Sequence, residues 1–255
     1  MKSPIKYSEE HSTCLSHLKK IIPKKSVINS FLFFSGGLEL NLAQADRFVH
    51  AHTDRYVVYE FWSCVINDPK TIYDLATSES FENFRNQKIF HILQKNWPRY
   101  KDPYIRSAIF FILNRLSTTG LISAGDFDDS GLNPICLSYL KNFKVKNFHL
   151  RHTKDLELTQ AISSHTECDY LLIPAPRFAY NLIEGSKMLG LESSKVDHKE
   201  VFKTLSALDT KFVLLYRAHP AVYELYKDYN IAMIDRYGSL TNKKQNCEDI
   251  IVTNF

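Results

Sequence analysis

The most constraining feature of the chain is an apolar run without alternation, Tyr170-Leu171-Leu172-Ile173, entered through Asp169 and left through Pro174-Ala175-Pro176-Arg177-Phe178. Strands buried on both faces read this way, and they belong to parallel sheets covered by helices. The two prolines then stiffen the exit from the strand. In open α/β sheets ligands gather outside the carboxyl ends of the strands, so this exit is where a site is expected. It carries no carboxylate, thiol or hydroxyl.

The rest of the chain repeats the same grammar. Val27 to Phe34 reads as a buried strand, Ser35-Gly36-Gly37 as a turn, and Leu38 to Val49 as a helix, which is the opening unit of a doubly wound fold. Arg55 to Glu60 reads as the second strand. It ends in an acid roughly 20 residues after the glycine turn, a spacing that suits a carboxylate on a ribose. Helical patterns follow from Cys64 to Leu116. The clearest has a capping Asp102, Pro103 in the first turn and an apolar body through Asn114-Arg115. Residues 117–134 form a Gly- and Asp-containing loop.

Strands are then expected near 147–151, at 169–174 and at 211–216, separated by helices near 154–163 and 197–208, with a further helix at 220–229. Segments 231–236 and 248–253 read as a closing antiparallel hairpin. The expected organisation is an α/β core of residues 1–66 and 145–255, with a helical insertion over 67–144.

Composition narrows the class. At 255 residues, 44% hydrophobic and 24% charged, the chain has the make-up of a soluble globular protein. A net charge of +4 permits a nucleic-acid partner without demanding one. Five cysteines without a C-x-x-C pair indicate neither a zinc site nor a disulfide framework. The expectation is an intracellular protein, cytoplasmic or nucleoid-associated, with no signal peptide, no membrane span and no metal. His149 and His152 lie three apart in a strand, on opposite faces, which does not suit a metal.

Several of these pieces, in this order, resemble DNA adenine-N6 methyltransferases of the Dam type. Asp102 to Leu121 is similar to that family's helix ending in Asn-Arg with a following Gly-Leu, and Glu248 to Phe255 to its final strand. Phe34-Ser35-Gly36-Gly37 resembles a shortened loop around S-adenosylmethionine (SAM). The resemblance implies a Rossmann-like SAM-methyltransferase fold. It places the cofactor at Phe34, Ser35, Gly36, Gly37 and Glu60, and makes Asn114 and Arg115 nucleic-acid contacts.

It also places the catalytic turn at Pro174-Ala175-Pro176-Arg177-Phe178. There the family's Asp-Pro-Pro-Tyr receives the flipped adenine: the acid and a proline carbonyl accept from its amino group, and the tyrosine stacks on the base. Here the acid is missing, and Asp169 stands at the other end of the strand. Lys6-Tyr7-Ser8-Glu9-Glu10-His11 stands where the family has a Lys-Trp-x-Gly-Gly-Lys segment, and Asp126, Asp128 and Asp129 replace a basic DNA hairpin. The expectation is a divergent, catalytically inactive member acting as a binding or structural protein. Two alternatives stand beside it. One is an active SAM-dependent DNA methyltransferase with an unusual turn. The other is an assembly protein that binds neither SAM nor DNA, with a protein partner or a second copy of itself.

Overall fold

The computed structural model describes residues 2–7, 10–79, 85–122, 125–154, 156–175 and 196–255. In chain order the described elements begin with α1 (Leu15–Ile21), β1 (Val27–Ser30), α2 (Glu39–Gln44), β2 (Phe48–Thr53) and α3 (Tyr56–Asn67). A helical stretch follows: α4 (Pro69–Ala76), α5 (Gln87–Asn96), α6 (Pro103–Leu116) and α7 (Pro134–Lys141). The chain then runs β3 (Phe148–His152), α8 (Leu158–Ser164), β4 (Tyr170–Pro174), α9 (His198–Ser206) and β5 (Lys211–Arg217). It closes with α10 (Pro220–Leu225), β6 (Asn230–Asp235) and β7 (Cys247–Thr253).

The seven strands form one sheet in the order β3-β2-β1-β4-β5-β7-β6. The first five are parallel, while β7 runs antiparallel to both β5 and β6. This is the Rossmann-like α/β fold expected of a SAM methyltransferase, with its antiparallel C-terminal hairpin. Strand order reverses between β1 and β4, and that switch point opens a crevice at their carboxyl ends.

The apolar run of β4 is buried because both faces are covered. Leu172 faces α1 and α2 together with Ile28, Val213 and Ile251, while Leu171 and Ile173 face α8, α9 and α10. The helices α3 to α7 share a third cluster with Phe33, Ala51 and the N-terminal Ile5, built around Trp62, Trp97, Phe110 and Phe111. Helix α6 runs through the middle of it and is buried from Ser107 to Asn114. It starts where it should: Asp102 Oδ1 accepts from the Ile105 amide at 2.9 Å, and Pro103 needs no donor partner.

Three assignments from the sequence are corrected. The second strand is Phe48–Thr53, not Arg55–Glu60, and Tyr56–Asn67 is helical. Val58, Phe61, Trp62 and Val65 explain this, since they are buried at helical spacing and only one face of the segment meets the core. The first strand stops at Ser30 rather than Phe34, because Leu32 turns into the left-handed region at φ 58°. Helix α2 accordingly ends at Gln44, with Asp46 at φ 63° turning the chain into β2.

Candidate functional site

The loop that leaves β1 is pinned on both sides of Leu32. The Phe31 amide donates to Leu172 O of β4 at 2.9 Å, and the Phe33 amide donates to His52 O of β2 at 3.0 Å. A leucine held in the left-handed region carries roughly 1–2 kcal/mol of strain, and such strain collects at ligand sites. Gly36 follows at φ 74°, where a glycine is at no disadvantage.

Over this loop lies the N-terminal segment, fixed at every few residues. Ser3 Oγ donates to Ser35 O at 2.5 Å. The Lys6 amide donates to Asn114 Oδ1 at 2.8 Å, and Asn114 Nδ2 returns bonds to Lys6 O at 2.9 Å and Gly120 O at 2.6 Å. The Tyr7 ring meets Phe34 at 4.7 Å between centroids. Glu10 Oε1 accepts from Ser35 Oγ at 3.0 Å, and its carboxylate lies so close over Gly37 that a Cβ there would collide with it.

His11 then ties the segment to the ends of two strands. Its Nδ1 bonds Asp249 Oδ1 of β7 at 2.8 Å, and its Nε2 bonds the carbonyl of Ala175, just past β4, at 2.8 Å. A carbonyl can only accept, so Nε2 is the donor there. Asp249 also accepts from Thr13 Oγ1 and, at 3.1 and 3.2 Å, from Arg217 Nη1. Arg217 Nη2 reaches Glu10 O at 3.2 Å. Burial works to raise the Asp249 carboxyl, and the hydrogen bonds and charges of His11, Thr13 and Arg217 outweigh it, so Asp249 is held below the usual carboxylate range.

Two cavities flank the end of β1. The first, about 330 Å³, lies between β1 and β4 and is lined by Tyr7, Glu10, Phe34, Glu39 and Pro174 among others. Its floor is acidic. Glu39 takes a 2.8 Å hydrogen bond from Ser30 Oγ, and burial pushes its carboxyl up to about 7; burial raises Glu10 too. The second, about 260 Å³, lies over the ends of β1, β2 and β3 and is lined by Phe31, His52, Asp54, Thr153 and Leu158 among others. Leu32 lines both.

His52 sits in the second cavity as a neutral ring. Burial, with lesser contributions from neighbouring cationic groups, brings it down to about 3. Asn29 Nδ2 donates to His165 O at 2.7 Å, which turns Asn29 Oδ1 toward His52 Nε2 at 3.0 Å and makes Nε2 the protonated nitrogen. Nδ1 is left as a buried lone pair with no partner among the described residues.

Of the residues expected from the sequence, Phe34, Ser35, Gly36 and Pro174 line the first cavity, with Gly37 beside them under Glu10. Ala175 is buried and bonded to His11. Pro176, Arg177 and Phe178 lie outside the described residues. Glu60 is a correction: it lies in α3, away from both cavities, where it binds Arg106 through Nε at 2.5 Å and through Nη2 and accepts from Tyr56 OH at 2.9 Å. The acid that follows β2 is Asp54. Asn114 is fully buried, its carboxamide spent on Lys6 and Gly120, and Arg115 Nε donates to Gly131 O at 2.8 Å. The Asn114 carboxamide is therefore turned inward, and Arg115 is half-buried. Asp169 stands at the amino end of β4, accepting from the Val27 amide at 2.8 Å.

His149 stacks on His50 and His152 on Tyr59, on opposite faces of the sheet as the spacing requires. Among the described residues no group of three or more His, Cys, Asp or Glu side chains is placed to hold a metal, and no helix is long and apolar enough to cross a membrane. His11, Glu39, His52, Asp54 and Asp249 were not expected from the sequence. Only Asp54 had a local signal, as the acid one residue beyond the true second strand.

No family profile and no curated protein sequence matches the chain. Among solved structures it is similar to one described as a predicted O-methyltransferase, protein Atu636 from Agrobacterium tumefaciens. The two share 10% identity at a TM-score of 0.37, over 95% of this chain and 78% of that one. A likeness of that degree carries no argument about activity or about adenine as a substrate.

Proposed function

We propose that this chain is a methyltransferase-fold protein that does not methylate adenine and works by binding, with the crevice at its strand ends closed by its own N-terminal segment. One observation carries the reading. In the family the sequence resembles, the adenine amino group is received by an acid and by a carbonyl in the turn after β4. Here Pro174 stands at the acid's place, and the Ala175 carbonyl already accepts from His11 Nε2 at 2.8 Å. A base amino group entering the turn would find Pro174 where the family has its acid, and would compete with a hydrogen bond anchored on Asp249.

The contacts of Asn114 and Arg115 give no support to a DNA partner, so the proposed partner is a protein or a second copy of the chain. The test is transfer of labelled methyl groups from SAM to mixed adenine-containing DNA and RNA, with enzyme in excess of substrate. The expected result is no label above the protein-free blank. Labelled N6-methyladenine would overturn the reading.

A further inference from the structure

The fold implies a cofactor that the residues as placed do not fit. We propose that Leu32 divides the strand-end crevice in two and so excludes SAM, or any extended adenosyl ligand, from a fold built to take one. This inference takes from the proposed function only the identity of the crevice.

A ligand lying across the switch point must pass over the carboxyl end of β1. The two cavities stand on either side of that end, and among the described residues Leu32 is the one lining residue they share. Its backbone is held in the left-handed region, which a leucine rarely adopts. The loop cannot roll aside cheaply, because Phe31 before it is bonded to β4 and Phe33 after it to β2. The side chain also packs against the apolar cluster of Phe31 and Ile162.

His52 Nδ1, a lone pair without a donor, remains in the second half. The crevice therefore keeps polar groups of a binding site and lacks its continuity.

The test is calorimetric titration of the full chain, wild type and Leu32→Gly, with SAM and separately with S-adenosylhomocysteine. Glycine suits the left-handed backbone at this position and removes the partition. The wild type is expected to give no binding heat at about 1 mM ligand, and Leu32→Gly to bind at about 100 μM or tighter, at least a tenfold gain. Circular dichroism and the melting temperature establish that the variant is folded. If Leu32→Gly does not fold, Leu32→Ala, which removes the branched tip and leaves the backbone alone, is held to the same expected gain. Micromolar SAM binding by the wild type, or a folded Leu32 variant that stays silent, would overturn the proposal. Wild-type binding without methyl transfer would sink the partition and leave the non-methylating reading standing; transfer would sink both.

Discussion

Glu39→Gln is expected to change how stability depends on pH, and the size of the change follows from where the carboxyl lies. Glu39 is buried beneath the first cavity, with Ser30 Oγ as its hydrogen-bond donor and Glu10 as a like-charged neighbour. Burial raises it to about 7, against the ordinary value of 4.5 in the unfolded chain. Between those values the folded protein holds a proton that the unfolded chain has released, so stability falls as pH rises from about 4.5 through about 7. The full loss is about 3 kcal/mol once both forms are ionised. Glutamine keeps an oxygen for Ser30 and cannot ionise, so the variant escapes that loss.

Other groups titrate in the same range with the opposite sign. Burial brings His52 down to about 3 and His198 to about 4, which makes both proteins less stable below the ordinary histidine range. That slope is common to wild type and variant and cancels in their difference. Urea unfolding at several pH values between about 4 and 8, extrapolated linearly, gives the difference directly. The variant is expected to gain about 3 kcal/mol relative to wild type across the range. Two curves that stay parallel to within about 0.5 kcal/mol would refute the burial of a protonated carboxyl at this place.

Two further outcomes are expected. Removing His11 as His11→Ala leaves Asp249 buried with Arg217 and Thr13, and is expected to cost about 3 kcal/mol, or roughly 6–12 °C in melting temperature. A double-mutant cycle with Asp249→Asn should show strong coupling, and additive losses would contradict a direct pair. Arg106→Ala strands the Glu60 carboxylate in the α3–α6 packing and is expected to cost about 3 kcal/mol. The double change Arg106→Met with Glu60→Leu should recover most of it, as read by the same unfolding assay.

The fold was legible where burial dictates sequence. β4 and β5 are continuous apolar runs because both faces are covered, and α6 announces itself through Asp102 and Pro103. The β2–α3 region was not legible for a physical reason. Arg55 to Glu60 is rich in β-branched and aromatic residues, so propensity favours a strand, and tertiary packing overrides it. The true strand hides its alternation, because its second buried face carries His50 and His52, which hydrogen-bond and stack instead of presenting apolar groups.

The candidate site was legible in part for a related reason. The turn at Pro174 and the glycine loop are local patterns, and both lie at the crevice. His11 and Asp249 are 238 positions apart and Lys6 and Asn114 are 108 apart, so no spacing rule reaches those pairs. Asn114, expected as a nucleic-acid contact, is buried and holds the N-terminal segment to the helices.

Native-state hydrogen exchange of that segment tests the central claim most directly, because the closed crevice depends on it. The amide of Lys6 donates to Asn114 Oδ1 at 2.8 Å and that of Cys14 to His11 O at 3.0 Å. Both are expected to exchange far more slowly than a free chain, and to speed up together in His11→Ala. Exchange of the Lys6 amide at free-chain rates in the wild type would show that the segment does not hold the crevice shut, and would remove the ground for reading the Ala175 carbonyl as occupied.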